Sequence, residues 1–258
     1  MHIVACAKVV PASSVTIQLD PVVKRMVRKD VTKELDPQAA CAVEQALRLT
    51  EKHGGSVTVL TMGSEDAIIG IRSALAMGAN AAVHLSDEAF AGSDALGTAK
   101  ALAAAIRKEP FDLVICATES SDSYTGIVPG QIAYLLGIPP LTFATEVTVD
   151  GKKVTVKRQS ESGYDLVESE LPALITVTTG IEPRYPTLKG IMGAKKKEVK
   201  EWKAADLQPA GLGTVAPALE IVALEALPPR PPGRILTGDP KDMARELVRT
   251  LREDVKAI

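Results

Sequence analysis

A stretch of small polar residues follows an apolar, strand-like segment in the middle of the chain. Residues 112–117 read DLVICA, and residues 118–126 read TESSDSYTG before an apolar helical segment. Free backbone N–H groups and the helix dipole make a helix N-terminus a phosphate site, and the three serines and Thr125 add hydroxyl donors. The pattern predicts nucleotide binding here. A serine-rich turn that only caps a helix is the alternative.

The sequence gives little support for catalysis, for classical NAD binding or for a metal site. No Walker A or GxGxxG pattern is present, which argues against phosphate hydrolysis and classical NAD binding. The three cysteines, Cys6, Cys41 and Cys116, form no CxxC pair, and we interpret them as small buried apolar side chains. No Ser/His/Asp set and no cluster of metal ligands stands out, so we predict neither a catalytic residue nor a metal site.

The first two thirds of the chain alternate strand-like and helix-like segments. Strands are predicted at 3–10, 56–62, 82–85 and 112–117, and helices at about 37–53, 65–77, 94–108 and 127–136. Continuous apolar strands separated by helices indicate a parallel sheet that is covered on both faces. The predicted fold is α/β: a mostly parallel, twisted, Rossmann-like sheet with flanking helices, suited to an adenine nucleotide. Ligands of such sheets bind at the carboxyl ends of the strands, here after Val10, Met62 and Ala117.

The pattern changes after about residue 144. Alternating residues around Asp150-Gly151 predict a β-hairpin, followed by a short strand at 166–168 and a buried strand at 173–178. Residues 12–35 read as a loop or excursion. Prolines punctuate the chain beyond about residue 182, and residues 240–258 are amphipathic. We therefore predict an antiparallel addition to the sheet and an extended C-terminal arm that ends in a helix and packs on a partner chain.

The composition argues against two classes of partner, nucleic acids and membranes. The 258 residues carry 30 basic and 32 acidic side chains, which gives no general attraction to nucleic acid or to a membrane surface. Only 3% of the residues are aromatic, too few for a surface that stacks bases. No apolar run approaches the length of a membrane span. The first residues read directly as a strand and three thiols cannot all pair, so we expect a cytoplasmic protein without membrane insertion.

Several motifs together resemble the β-subunits of electron transfer flavoproteins. Residues 181–197 read IEPRYPTLKGIMGAKKK, which is similar to the family's EPR-(Y/F)-x-x-(L/F)-x-x-IM-x-AKKK signature, and LPA precedes it at 171–173. The opening strand with Lys8, AVEQALRL at 42–49, RSALAMGAN at 72–80 and DLVICATESSDSYTG at 112–126 occur in the family's order. The resemblance runs from residue 1 to about residue 203.

The resemblance implies a carrier subunit rather than an enzyme. Such a chain forms a heterodimer with a larger α-subunit that holds most of one FAD, and the pair (an ETF) carries electrons from flavin-dependent dehydrogenases, such as acyl-CoA dehydrogenases, to a membrane quinone reductase (ETF-quinone oxidoreductase) or another acceptor. The β-subunit binds AMP, or a second FAD in electron-bifurcating relatives. We expect AMP. The implied organisation is a nucleotide-binding core at 1–182, a recognition loop with a basic helix at 183–203, and an arm on the α-subunit at 204–258.

The implied nucleotide contacts lie at strand ends and at one helix start. They are Cys6, Ala7, Asp36, Pro37, Gln38, Ala39, Met62, Ala117, Thr118, Glu119, Ser120, Ser121, Asp122, Ser123, Tyr124 and Thr125.

The implied contacts with the dehydrogenase lie in residues 183–203. Leu188 matches the leucine with which the family anchors its dehydrogenase, and an ordinary exposed leucine is the alternative. The run of Lys195, Lys196 and Lys197 is expected to steer acidic surfaces; a solvated face or a helix cap is the alternative. Arg184 is predicted to belong to the same surface. The alternative is a structural role, in which Arg184 pairs with Glu182 and fixes the end of the loop.

Two other classes of protein share the alternating pattern of strands and helices in the core. A nucleotide-binding regulatory module of the universal-stress type needs neither the proline-rich arm nor an exposed Leu188. An adenine-nucleotide α-hydrolase relative, such as an ATP-pyrophosphatase, needs a phosphate loop after the first strand, where this chain reads KVVPASS.

Overall fold

The computed structural model describes residues 1–28, 30–207, 217–228 and 232–257. The strands, in chain order, are β1 (His2–Cys6), β2 (Val9–Pro11), β3 (Leu19–Asp20), β4 (Arg25–Met26), β5 (Lys33–Leu35), β6 (Ser56–Met62), β7 (Ala81–Leu85), β8 (Leu113–Ala117), β9 (Pro140–Asp150), β10 (Lys153–Ser160), β11 (Gly163–Glu170), β12 (Ala173–Val177) and β13 (Val199–Trp202). The helices are α1 (Pro37–His53), α2 (Ile68–Met77), α3 (Ala95–Ile106), α4 (Val128–Leu136), α5 (Leu188–Ala194) and α6 (Pro240–Glu253).

The main sheet of the described residues has nine strands in the order β11-β10-β9-β12-β8-β1-β6-β7-β13. All neighbouring pairs from β9 to β13 are parallel, and β9, β10 and β11 form an antiparallel meander at one edge. Successive side chains of β1 enter opposite layers of the core: Ile3 and Ala5 pack with α1 and α2, and Val4 packs with α3 and α4. The predicted α/β class with an antiparallel addition is confirmed.

The excursion after β1 contains more structure than the sequence indicated. The predicted strand at 3–10 is two strands, because the chain leaves the main sheet after Cys6 and pairs β2 antiparallel with β5. Residues between β2 and β5 form the small β3–β4 hairpin rather than a loop.

The predicted short strand at 166–168 is the middle of the eight-residue β11. Local capping was easier to recognise: Asp36 caps α1 by accepting the Gln38 N–H at 3.0 Å.

The chain divides into two compact units, Met1–Val222 and Ala223–Ile258. The first contains the sheet and also the segment at 183–203. The second contains α6, which Asp239 caps through the Lys241 N–H and which buries none of its residues. None of the helices in the described part of the chain has the length and hydrophobicity that a bilayer crossing requires.

Ion pairs fix the chain where it leaves β12 on the way to α5. Arg184 donates through Nε to Glu44 Oε2 at 2.7 Å and through Nη2 to Glu51 Oε2 at 3.0 Å. Arg48 donates to Glu44 Oε1 at 2.7 Å and to the backbone carbonyl of Glu182 at 3.0 Å. The predicted pairing of Arg184 with the Glu182 side chain is therefore wrong, because two glutamates of α1 supply the acceptors.

These contacts make the cluster sensitive to pH. Burial by itself would raise the pKa of Glu44, but hydrogen bonds from Arg184 and Arg48 outweigh it and hold that pKa below its ordinary value of 4.5. A folded-state pKa below the unfolded value stabilises the fold fully above the ordinary pKa, and this contribution is lost as the pH falls through the lowered pKa.

We expect Glu44→Gln to lower the free energy of unfolding by about 2 kcal/mol at pH 7, because two guanidinium groups lose a buried charged acceptor. The loss is smaller than for a fully buried pair, since the side chain of Arg184 is 33% exposed. The matched control is Glu51→Gln, whose 58% exposed side chain should contribute less than about 1 kcal/mol. Urea unfolding at pH 7 and pH 4 measures both, and the Glu44→Gln deficit should shrink at the lower pH. Equal deficits for the two variants at pH 7 would contradict this account.

Candidate functional site

The carboxyl ends of β1 and β8 lie side by side where the strand order reverses. From β1 the chain passes through α1 to β6 on one side, and it later returns to β8 on the other. Such a reversal opens a crevice outside the strand ends, where open α/β sheets bind ligands. Cys6 and Ala117 end the two strands, and α1 begins at Pro37.

The loop after β8, residues 118–126, is a tight turn held by its own hydrogen bonds. The Thr118 N–H donates to the carbonyl of Val177 at 3.1 Å, and the Tyr124 N–H donates to the carbonyl of Ser120 at 2.9 Å. Tyr124 and Gly126 both have left-handed backbones, with φ of 49° and 68°. A left-handed tyrosine is uncommon, and such conformations concentrate at functional sites. The turn delivers the chain to the N-terminus of α4.

Side chains from both sides of the crevice meet at Asp122. Lys8 Nζ donates to Asp122 Oδ1 at 2.6 Å and to Ser120 Oγ at 3.1 Å, and Arg28 Nη2 donates to Asp122 Oδ2 at 2.7 Å. Asp36 Oδ2 accepts the backbone N–H of Ser121 at 3.1 Å. These contacts join the segment after β1 to the loop after β8.

The Asp122 carboxylate is ionised throughout the physiological pH range. Burial would raise its pKa, but hydrogen bonds from Arg28 and Lys8 outweigh that effect and hold the pKa far below its ordinary value. Two cations face this one carboxylate, and Asp36 beside them is a second carboxylate, so the four groups together are close to neutral.

The structure brings much of the predicted nucleotide set together. Asp36 and residues 120–123 are in mutual contact, whereas Met62 ends β6, the neighbour of β1 on the other side. Ala39 is 2% exposed and packs in the core. Tyr124 points its side chain to solvent, with 62% exposure. The other predicted residues lie at the ends of β1 and β8, in the loop after β8 or at the start of α1: Cys6, Ala7, Pro37, Gln38, Ala117, Thr118, Glu119 and Thr125.

Sequence reasoning missed two residues of this site. Lys8 was noted only as part of a family motif, although its position directly after β1 was a usable signal. Arg28 lies in the excursion that read as a loop, and no local pattern indicated that it reaches Asp122, 94 residues away.

A cavity of about 440 Å³ lies next to the loop, between α4 and the start of β9. Thr118 and Gly126 of the loop belong to its lining, and Ile127, Leu135 and Phe143 give it an apolar character. Phe143 has a left-handed backbone with φ of 57°. An apolar cavity with a few polar groups is typical of a small-molecule site.

The helix α5 presents an apolar face to solvent, which we call the recognition face: Leu188, Ile191 and Met192. Their exposed fractions are 74%, 48% and 65%. Residues three and four apart lie on the same side of a helix, so the three side chains are adjacent. Thr187 caps the helix by accepting the Gly190 N–H at 3.0 Å. Leu188 is therefore exposed as expected, and Ile191 and Met192, which helical spacing could have identified, extend the surface.

The helix α5 is held tightly against α2. A Cβ on Gly190 would lie 2.4 Å from the carbonyl oxygen of Ala76, so only glycine permits this approach. Arg72 on α2 donates to the carbonyls of Ala194 at 2.6 Å and Lys197 at 2.9 Å, at the end of α5. The recognition face is thus fixed to the core by backbone contacts on both helices.

The three lysines of the AKKK run have different roles. Lys197 is half-buried, and its Nζ donates to the carbonyls of Leu75 at 2.9 Å and Ala79 at 2.6 Å, where it caps the C-terminus of α2. Burial lowers the pKa of Lys197. Lys195 and Lys196 are exposed. Only these two are placed to attract an acidic surface, and Lys197 follows the alternative reading as a helix cap.

The thiols show no sign of chemistry. A hydrogen bond with Cys6 and complete burial raise the pKa of Cys116, and burial raises the pKa of Cys41, so neither forms a reactive thiolate readily. In the described part of the chain, no group of three or more His, Cys, Asp or Glu side chains is arranged to hold a metal ion.

Comparison with known proteins identifies the family. The model of the electron transfer flavoprotein domain matches residues 23–207. The electron transfer flavoprotein subunit beta of Thermoanaerobacterium thermosaccharolyticum is 40% identical over 97% of this chain and 98% of its own length. The subunit of the same name from Clostridium acetobutylicum is 35% identical over 98% of this chain and 99% of its own length. The caffeyl-CoA reductase-Etf complex subunit CarD of Acetobacterium woodii is 36% identical over 98% of both chains. This chain therefore belongs to the electron transfer flavoprotein β-subunits, which are electron-transfer subunits and not enzymes.

Proposed function

We propose that this chain pairs with an electron transfer flavoprotein α-subunit, binds AMP in the crevice between β1 and β8, and anchors flavin-dependent dehydrogenases through the recognition face. FAD, held mainly by the α-subunit, would supply the redox chemistry for carrying electrons from dehydrogenases such as acyl-CoA dehydrogenases to a quinone reductase or another acceptor. The observation that carries the proposal is the combination of a crevice at strand ends, with two partly exposed cations, and a rigidly held, exposed apolar helix face on a chain of this family.

The crevice suits a nucleoside monophosphate. The N-terminus of α4 follows the loop directly. Pro129 has no N–H, so the N–H groups of Val128 and Gly130 are the donors of the first turn that a bound phosphate could use, together with the helix dipole. The exposed Thr125 adds a hydroxyl, and the partly exposed Lys8 lies at the same strand ends. Because carboxylates offset the cations of the crevice, a single phosphate suits it better than a polyphosphate.

The recognition face suits a transient complex. Each of its apolar side chains contributes about 1.5–3 kcal/mol when it is fully buried in a partner's pocket. Three such residues allow specific docking without a permanent interface, and the exposed Lys195 and Lys196 beside them favour an acidic partner and speed its approach. The name of the Acetobacterium woodii relative, which places it in a complex with a caffeyl-CoA reductase, agrees with a partner of the acyl-CoA-handling type.

The C-terminal unit suits the α-subunit. In α6 the apolar residues Met243, Leu247 and Leu251 recur at four-residue steps, yet none of the helix is buried. An amphipathic helix without a covered face is typical of an element that lies on another chain.

A second candidate for the occupant of the crevice is FAD, as in an electron-bifurcating relative. The cavity next to Thr118 and Gly126 favours it, because an adenylate held at the loop would have an apolar space of about 440 Å³ close by for a flavin ring. Mass spectrometry of the small molecules released when the purified heterodimer is denatured separates the two. FAD and AMP in equal amounts support AMP in the crevice, and two FAD without AMP support the second candidate. One FAD and no further nucleotide would contradict both.

We expect Thr125→Val to reduce AMP retention severalfold, because the variant loses a hydroxyl next to the helix N-terminus that binds the phosphate. The AMP-to-FAD ratio after purification measures the effect. Thr148→Val makes the same chemical change at an exposed position of β9 and should leave the ratio unchanged. An unaltered ratio in Thr125→Val would remove this residue from the phosphate site.

We expect Leu188→Ala to weaken docking of a dehydrogenase by about tenfold or more, since it removes most of one buried side chain of 1.5–3 kcal/mol. The concentration dependence of flavin reduction by the dehydrogenase gives this change, while FAD and AMP content stay constant. Leu166→Ala, on β11 and 69% exposed, is the matched control. If the two variants are reduced with the same concentration dependence, Leu188 is an ordinary surface residue.

A further inference from the structure

Charged side chains close the mouth of the crevice from both sides. Residues 8–36 leave the end of β1, form the β3–β4 hairpin and return to the start of α1, so they flank the crevice along one side. Residues 118–126 flank it along the other. Lys8 and Arg28 reach across from the first segment, and both bind the carboxylate of Asp122.

The two halves of this contact differ in how firmly they are held. The side chain of Asp122 is only 3% exposed and also accepts the hydroxyl of Ser120 at 2.8 Å, so it is fixed to its loop. The side chain of Arg28 is 41% exposed. Arg28 lies between β4 and β5. The β3–β4 hairpin that precedes it pairs only two residues on each strand. Segments with few contacts open locally at low cost, so Arg28 is the half that can move.

We propose that the Arg28–Asp122 ion pair is a latch that controls how fast the nucleotide of the crevice exchanges, an inference that rests on the proposed nucleotide site. A nucleotide that lies across the ends of β1 and β8 has the excursion on one side and the loop on the other. Because the pair spans the mouth between them, it must break whenever the nucleotide enters or leaves. Since Arg28 is partly solvated, salt weakens the pair and speeds opening.

The test uses the complete heterodimer loaded with AMP. Excess isotopically labelled AMP is added, and mass spectrometry of released nucleotide follows the replacement of bound AMP. Arg28→Gln should exchange about tenfold faster, because the pair no longer holds the mouth closed. Asp122→Asn, which also frees Lys8, should exchange at least as fast, and the double variant should be no faster than Asp122→Asn, as expected for two residues of one contact. Raising the salt concentration should accelerate the wild type more than Arg28→Gln, in which only the pair of Lys8 with Asp122 is left to screen.

Lys24→Gln is the matched control, because it removes one positive charge from the same hairpin at a position that is half-buried, as Arg28 is. If Arg28→Gln exchanges at the rate of this control, the latch is overturned. Slower exchange in Asp122→Asn also overturns it, since Arg28, freed from the carboxylate, would then hold the nucleotide directly. A wild-type heterodimer without crevice nucleotide contradicts the proposed function itself, and with it the latch, so the two failures are distinguishable.

Discussion

The buried carboxylate of Asp36 determines the shape of the crevice. Its side chain accepts the N–H groups of Gln38 and Ser121, and its own N–H donates to the carbonyl of Lys8 at 3.0 Å. With 1% of its surface exposed, it has exchanged water for these partners, and a buried anion is tolerated only when its oxygens are satisfied in this way. One residue thus fixes the exit from β1, the start of α1 and the loop after β8. The proposed nucleotide site depends on that shared anchor.

The recognition face depends on a different constraint, the close approach of α5 to α2. The absence of a side chain at Gly190 allows the two backbones to touch, and Arg72 and Lys197 then satisfy the carbonyls at the end of each helix. A seven-residue helix has little stability of its own. Because these contacts order α5 before any partner arrives, docking carries less cost in conformational entropy. A small apolar surface can therefore be specific.

The sequence allowed the fold class to be predicted because the signals are local. Continuous apolar strands, the Asp36-Pro37 helix start and the Asp150-Gly151 turn each describe their own neighbourhood, and all three were confirmed. Contacts between distant segments were not accessible in this way. Nothing near Arg28 indicates Asp122, and the AKKK run does not reveal that Lys197 turns inward while its neighbours stay exposed. Such pairings follow from the packing of the sheet and helices, which a single sequence does not specify residue by residue.

Two exposed apolar surfaces on one chain suit two kinds of partner. The recognition face comprises three side chains on a short, fixed helix, and a contact of that size falls at the lower end of what specific protein complexes bury. By contrast, α6 is a 14-residue amphipathic helix. An apolar stripe runs along its length, and no residue of its own unit buries that stripe. Longer apolar interfaces belong to obligate assemblies, whereas small ones with charged surroundings form and separate quickly. The proposed carrier, which would stay with one subunit and visit several dehydrogenases, needs both kinds of surface, and the difference in size between the two surfaces matches that division.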